Sequence, residues 1–430
     1  MKVLVVSHNS FSTCNSMGKT LCTLFSSFKK DEISQLYIYP TIPDIDFCNS
    51  YYRITDKDAL NFFKSFKVKG KEIRLDSNGK YSYNLFENAK DESFYRNKKN
   101  HSAIRILARD LLWKITPWFN KNLKKWLDDQ KITHIFVAPG GYRFIYDVAL
   151  KCAKYLDVPI ITYVCDEYFF VKKREKLLDR FHQHLLSCKI KQLMSKTSMV
   201  IVISNELKEL YGPYFKVKAE TVMTATSYKI QDKPADVKNV QTITYMGNVR
   251  CNRYVSLLEI GLALDEINKE NNKNYRLKIY SAEKDHFILS ELSKAQSIDL
   301  MGFCSGKDFE KVFFSAQTLL HVEAFDEKSI DYVKNSISTK IADSLASGIP
   351  MLAYGPQDVA SIKHLNRNNC AFCIERRENL KEELLRYLNM SAEERSQIVE
   401  NALSAARKYH DMETVGKKVY NLIAGVGKSA

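Results

Sequence analysis

Apolar residues gather in strand-length runs separated by stretches with helical spacing. In the first half, Val3 to Ser7, Gln35 to Tyr39, His134 to Ala138, Val158 to Val164 and Met199 to Ile203 read as buried strands. Lys19 to Phe28, Ile104 to Leu127, Tyr142 to Leu156 and Val171 to Met194 carry apolar positions at helical spacing, and Ser204 caps a helix over Asn205 to Tyr211. Residues 40–100 are polar, aromatic and without a clear period. Residues 229–240 lack periodicity and read as a linker. The second half then restarts the grammar: strand Thr242 to Met246, helix Tyr254 to Asn268, strands Arg276 to Tyr280 and Leu300 to Gly302, helix Lys307 to Phe314, strand Thr318 to Val322. Helices over Leu380 to Leu388, Ala392 to Tyr409 and Met412 to Ile423 close the chain. Strand, helical crossover, strand predicts an α/β protein of two Rossmann-like, doubly wound domains with a cleft. The expected division is 1–235, 236–405, and a C-terminal helix over 406–430 that packs back on the first domain.

Ligands of such sheets bind at the carboxyl ends of the strands, so the loops after Ser7, Ala138, Val164, Met246 and Val322 are the places to search. Residues 338–356 are the most informative. Ser338 is placed to cap a short helix, leaving the backbone N–H groups of Thr339 and Lys340 outward as an anion site, with the Lys340 charge beside them. Ile341, Ala342, Leu345 and Ala346 form the apolar face, Gly348 stops the helix, Pro350 prevents its return and Met351 to Tyr354 is a strand. Asp343, one turn in, suits a ribose diol. Any αβ unit of a parallel sheet also carries a capped helix, a Gly stop and an apolar strand.

Composition narrows the class. At 430 residues the chain exceeds one ordinary core, and 45% apolar with 27% charged residues is a soluble globular balance. No run approaches the roughly 20 apolar residues of a membrane span. The N-terminus enters a strand directly, so no signal peptide is expected. The ten cysteines are scattered; Cys370 and Cys373 form one CxxC without a second half, which points to strand thiols in reducing cytosol rather than zinc. The net charge of +15 calls for an anionic partner: lipid, phosphorylated substrate or nucleic acid.

Four segments in order then resemble one family. These are Ser198 to Ser204 with Glu206 to Leu210, Tyr245-Met-Gly-Asn-Val-Arg250, Ile298-Asp-Leu-Met-Gly302, and Asp343-Ser-Leu-Ala-Ser-Gly-Ile-Pro350. Together they resemble the GT-B glycosyltransferases of family 4, whose signature reads Glu-Ala-Met-Ala-x-Gly-x-Pro. The resemblance implies a nucleotide-sugar donor, no metal or other cofactor, and retaining transfer. It implies donor contacts from Gly18, Gly247, Asn248, Arg250, Gly302, Ser338, Thr339 and Asp343. Asp343 stands where the family has the ribose-binding Glu, and Asn335 where it has a second carboxylate; Glu323 or Glu327 are the substitutes. Asn248 and Arg253 stand where the family places an Arg and a Lys on the diphosphate. Arg253 and Lys340 are thus expected to stabilise the leaving nucleoside diphosphate, with Glu323 as a catalytic carboxylate.

Asp166 or Glu167 would orient or deprotonate an acceptor hydroxyl, or cap a helix. Gly140 and Gly141 follow a strand end, as a simple turn would. Asp44-Ile45-Asp46 is a weak metal motif, and Gly18-Lys19-Thr20 is no P-loop because Thr13 stands where glycine is required. Basic residues Arg96, Lys98, Lys99, Arg105, Arg109, Lys114, Lys121, Lys124 and Lys125 interleave with Ile104, Leu107, Leu111, Trp113, Trp118, Phe119 and Trp126; Lys172, Lys173, Arg174, Lys176 and Arg180 form a second cluster. Such helices suit an anionic membrane surface or a wet face over a core; no nucleic-acid motif accompanies them. The expected activity is transfer to a saccharide or lipid-linked saccharide in surface polysaccharide or lipopolysaccharide assembly, cytoplasmic or peripheral at the inner membrane face. A sugar-nucleotide epimerase on the same fold and a non-catalytic scaffold are the rival readings.

Overall fold

The computed structural model describes residues 1–13, 15–73, 102–170, 176–235 and 239–427. Contacts divide the chain into two units, Met1–Met223 with Val415–Ala430, and Thr224–Thr414. No helix among the described residues is long and apolar enough to cross a membrane.

The first unit begins β1 (Val3–Ser7), α1 (Ser16–Leu24), β2 (Ile33–Tyr37), β3 (Ser50–Arg53), α2 (Asp56–Leu60), α3 (Phe62–Ser65), β4 (Lys71–Ile73). It continues α4 (Ala103–Ile115), α5 (Lys121–Gln130), β5 (His134–Ala138), α6 (Arg143–Leu156), β6 (Ile160–Val164), α7 (Leu177–Met194), β7 (Thr197–Val202), α8 (Asn205–Phe215) and β8 (Ala219–Thr221). The strand order is β4-β3-β2-β1-β5-β6-β7-β8, and every pairing is parallel except β3 with β4. β1, β2 and β6 are buried at every position, as a sheet covered on both faces requires.

One expectation changes here, and one alternative is decided. The single helix over Ile104 to Leu127 is two, because Pro117 keeps Thr116 extended (ψ 142°) and ends α4. Trp113, Trp118 and Trp126 are core residues, so of the two readings of these helices the aromatic side follows the one with a wet face over a core. Their indoles explain it: Trp113 Nε1 donates to Asp56 Oδ1 at 2.7 Å and Trp126 Nε1 to Ser50 Oγ at 2.8 Å, so each buried donor is satisfied. Arg96, Lys98, Lys99, Lys172, Lys173 and Arg174, with the start of the expected basic helix, lie outside the described residues.

The second unit runs β9 (Thr242–Met246), α9 (Arg253–Asn271), β10 (Arg276–Tyr280), α10 (His286–Leu292), β11 (Ile298–Gly302), α11 (Gly306–Phe314), β12 (Leu319–Val322), α12 (Glu327–Val333). α13 (Thr339–Ala346), β13 (Met351–Tyr354), α14 (Ala360–Arg367), β14 (Phe372–Ile374), α15 (Leu380–Leu388) and α16 (Ala392–Ala405) follow. Its six parallel strands are ordered β11-β10-β9-β12-β13-β14. Ile341, Ala342, Leu345 and Ala346 are buried, so α13 docks by the face its spacing predicts. Gly348 ends the turn after it at φ +73°, where a Cβ would also stand 3.0 Å from the Lys233 carbonyl.

The unit boundaries fall earlier and later than 235 and 405. Residues 224–235 strap onto the second unit: Gln231 N donates to Ala346 O (3.0 Å) and Ala235 N to Gly348 O (2.8 Å). Residues 406–410 continue α16 as a π-helical turn and bury His410 against His364. The last helix, α17 (Met412–Ala424), meets the first unit through Gly416 against Ser26 and Ser27, and through Tyr420, whose ring centroid is 4.9 Å from that of Phe28.

Candidate functional site

In the second sheet the strand order reverses between β9 and β12, where a doubly wound sheet opens a crevice at its carboxyl edge. A cleft of about 460 Å³ opens there, with Met246, Gly247, Arg250, Tyr280, Phe303 and Lys340 in its wall. Cys251 and Asn252 both take φ +55°, so the chain after β9 turns tightly and starts α9 at Arg253. Tyr245 Oη donates to the Asn248 carbonyl at 2.6 Å and pins this loop from below.

Lys340 and Arg250 are the cations of the cleft wall. The Lys340 Nζ lies 5.7 Å from the Tyr245 ring centroid and occupies the space that a Cβ on Gly247 would need. Glycine here lets a charged amine lie directly on the backbone of the β9 loop. Water reaches the side chain through the cleft mouth, but protein crowds it on its other sides. Desolvation, and then Arg253, pull the amine down to about 8. Ser338 occupies the N-cap position of α13, yet its hydroxyl makes no cap hydrogen bond; its amide donates to Ser361 Oγ at 3.1 Å. The predicted side-chain cap is therefore absent, and the Thr339 and Lys340 amides are not closed off by it.

Arg253, the first residue of α9, turns inward. Its Nη2 and Nε donate to Glu323 Oε2 at 2.8 and 3.1 Å, and Nε reaches the Val322 carbonyl at 3.3 Å. Glu323 is 3% exposed at the end of β12, with His321 Nε2 3.3 Å from its Oε1. Burial pushes the carboxyl up, but His321 and Arg253 outweigh it and hold it below the usual value. Glu323 is thus held between Arg253 and His321. Glu323 orients Arg253, which in turn lies close enough to depress Lys340.

Arg250 is also engaged: its Nε donates to Glu283 Oε2 at 2.7 Å. Glu283 Oε1 accepts the Lys284 and Asp285 amides at 3.0 and 3.1 Å, and the Arg250 bond holds its carboxyl down at about 2. Asn248, exposed, orders the same loop through Oδ1, which accepts the Arg250 amide at 2.8 Å. Gly302 ends β11 at φ +76°, just before Phe303 and Cys304 of the cleft wall. Asp343, one turn beyond Lys340, accepts from Thr226 Oγ1 at 2.7 Å. Glu327 is exposed at the start of α12, and Asn335 is half-buried beyond its end.

In the first unit, Gly18 lies inside α1 and donates its amide to the Asn15 cap at 2.6 Å. A Cβ there would collide with the Ser10 carbonyl and Ser12, so close packing accounts for the glycine. Asp166 follows β6 with Tyr168 Oη 3.4 Å away. Glu167 caps the following turn, accepting the Phe169 and Phe170 amides and Tyr211 Oη (3.2 Å). Asp44 accepts from Thr13 and Asp46 pairs with Lys30, so both carboxylates of the weak metal motif have protein partners.

The structure brings Gly247, Asn248, Arg250 and Lys340 together in one cleft wall, and adds Glu283, Phe303 and Phe309 to it, with Tyr245 and His321 behind; sequence pattern singled out none of these five. Glu283 follows a strand end, a signal that could have found it. The buried partners carry no sequence signature.

No family model matches the chain, and no curated protein matches it in sequence. Solved structures do match. An α,α-trehalose-phosphate synthase (UDP-forming) from Burkholderia xenovorans, in complex with glucose-6-phosphate, aligns with a TM-score of 0.60 at 9% identity, over 99% of this chain and 100% of that one. HepE from Anabaena, in complex with UDP and glucose, aligns with a TM-score of 0.60 at 11% identity, over 99% of each chain. The E. coli trehalose-6-phosphate protein bound with UDP-2-fluoro glucose gives 0.62 at 11%, over 99% of this chain and 100% of that one. The chain has the two-Rossmann fold of the GT-B glycosyltransferases.

Proposed function

We propose that this protein is a nucleotide-sugar-dependent glycosyltransferase whose donor diphosphate lies on Lys340 and the start of α13. The observation that carries the reading is the Lys340 ammonium laid on the Gly247 backbone at the carboxyl edge of a parallel sheet. An anion at that place meets a fixed charge and the outward amides of Thr339 and Lys340. In transfer, the leaving nucleoside diphosphate gains negative charge, and donors held in place before reaction stabilise it. Arg253, fixed by Glu323, raises the local positive potential behind Lys340. Gly302, Ser338 and Asp343 complete the expected donor contacts, with Asp343 on the ribose and its orientation set by Thr226. HepE and the trehalose-phosphate synthases, with their UDP, UDP-sugar and sugar-phosphate complexes, support a UDP-sugar donor and a saccharide acceptor.

We place retaining, metal-independent transfer and a role in surface polysaccharide or lipopolysaccharide assembly within the same reading, with Asp166 on the acceptor side. Peripheral membrane attachment draws on α4 and α7, which pack together. Both expose apolar side chains, Ile104, Leu111 and Ile115 on one and Leu177 and Phe181 on the other, beside Arg105, Lys114 and Arg180. The test is release of nucleoside diphosphate from a panel of UDP-, GDP-, ADP- and CMP-sugars with mixed saccharide acceptors. Acceptor-dependent release that Lys340→Ala abolishes is expected. Turnover of no donor, or epimerised sugar without an acceptor, would sink the proposal.

A further inference from the structure

A cavity of about 320 Å³ opens in the first unit among α4, α6, α7 and the turn at Trp118. Donor binding makes no use of it. Lys114, Arg143, Lys151 and Lys189 line it against two carboxylates, Asp110 and Asp147. Both carboxylates are committed. Asp110, buried, accepts Arg143 Nε at 2.8 Å and the Arg143 and Phe144 amides at 3.1 and 3.4 Å. Asp147 accepts Lys189 Nζ at 2.6 Å. Lys114 and Lys151 are exposed, and among the described residues neither has an ion-pair partner. Lys151 Nζ lies 4.7 Å from the Trp118 ring centroid, so it stands over an indole and not over a carboxylate. The cavity therefore carries two positive charges more than its own carboxylates match.

Its mouth points to the source of the matching anion. Leu111 lines the cavity and is 56% exposed. Ile104, two turns before it, and Ile115, one turn after it, share its face of α4 and are exposed as well. This aliphatic stripe runs past the cavity mouth, and α7, packed on α4, exposes Leu177, Leu178 and Phe181. A free phosphate has no need of an apolar rim. A lipid needs both parts: cations for its phosphate and apolar side chains that enter the interface beside it. The volume is at the low end of small-molecule sites, which suits one phosphate and its alcohol better than the row of phosphates along a nucleic acid.

We propose that the cavity among α4, α6 and α7 binds the phosphate headgroup of an anionic lipid, held by Lys114 and Lys151 with the Ile104, Leu111 and Ile115 stripe in the lipid interface. Arg143 gives Asp110 only its Nε, which leaves the terminal N–H groups of its guanidinium for the same phosphate. The inference deepens the membrane attachment proposed above and rests on it for the source of the phosphate. It names the lipid class and makes recognition local to one pocket, where the earlier reading spreads it over basic helices.

The test is co-sedimentation of the full-length protein with phosphatidylcholine vesicles, with and without phosphatidylglycerol. Beside it run tryptophan fluorescence titrations with dihexanoyl-phosphatidylglycerol below its micelle concentration, inorganic phosphate, glycerol 3-phosphate and a single-stranded oligonucleotide. Trp113 and Trp118, two of the chain's three tryptophans, line the cavity and report its occupation. Sedimentation should require phosphatidylglycerol, and the short-chain lipid should shift the emission at lower concentration than the other three ligands. Lys114→Gln with Lys151→Gln should weaken vesicle binding about 30-fold, since each cation near an anionic surface is worth about fivefold. Lys121→Gln with Lys125→Gln removes the same charge from exposed positions of α5, outside the cavity, and should cost less than about threefold. Both variants should stay folded and keep UDP stabilisation. Equal losses in the two variants mean attraction by net charge alone; they overturn the pocket and leave the membrane attachment standing. A response to the short-chain lipid without sedimentation strikes the attachment and supports the pocket. No response to the short-chain lipid, or an equal or tighter response to phosphate, glycerol 3-phosphate or the oligonucleotide, overturns the proposal.

Discussion

Raising the pH from 7 to 9 should weaken nucleotide binding about tenfold, and one amine should carry the whole effect. Lys340 sits at about 8 without a bound anion, so its charged fraction falls from about nine-tenths at pH 7 to about one-tenth at pH 9. A bound diphosphate favours the ammonium, so binding above pH 8 must take up a proton, and affinity falls toward tenfold per pH unit. Other titratable groups in the cleft wall do not change charge in the same way: Glu283 is held at about 2, and burial pushes Tyr280 and Cys304 up. A terminal phosphate has largely finished titrating by pH 7. The assay is calorimetric titration with UDP at pH 7, 8 and 9, in two buffers of different ionisation enthalpy, which counts the proton directly. Lys340→Met should lose the slope and bind about 10- to 150-fold more weakly at pH 7, the value of one charge-assisted hydrogen bond of about 1.5–3 kcal/mol. Lys340→Arg should keep affinity and lose the slope, since guanidinium stays charged. A flat wild-type profile, or an unchanged slope in Lys340→Met, would refute the reasoning.

Gly247→Ala should displace the Lys340 ammonium rather than the backbone, so melting temperature should hold within a few degrees while UDP affinity drops; unchanged affinity would place the phosphate elsewhere. Arg253→Met strands the buried Glu323 carboxylate and should cost about 3–5 kcal/mol in urea unfolding, with Arg253→Met plus Glu323→Gln recovering part of it. The paired substitution Leu177→Glu and Phe181→Glu should reduce binding to vesicles containing anionic lipid without altering UDP affinity. Equal vesicle binding by this variant would remove the membrane role of α7.

The parts of the fold legible in the sequence were those whose pattern is local. β1, β5, β9, β10, β13 and α15 have the bounds their patterns predict: β1, β5 and β13 as apolar runs of a sheet covered on both faces, β10 as an alternation and α15 by helical spacing. β3 escaped notice because its buried residues are Ser50, Tyr51, Tyr52 and Arg53, of which Ser50 and Arg53 find distant partners in Glu72 and the Thr41 carbonyl. Short β8 and β14 carry too few residues for a period. At the candidate site, Lys340 was visible as the charge at a helix start and Gly247 through the resemblance of its segment. The state of Arg250 and Arg253 was not: each is a plausible phosphate ligand in sequence, and each is committed to a carboxylate in space.

The most direct test of donor binding at Lys340 is a thermal-shift panel of UDP, GDP, ADP and CMP on the wild type and Lys340→Met. A ligand at a hundred times its dissociation constant adds about 2.7 kcal/mol to the folded state, a rise of a few degrees. One nucleoside diphosphate should raise the wild-type midpoint and raise that of Lys340→Met by about half as much or less. No rise with any of the four, or an equal rise in the variant, would contradict it.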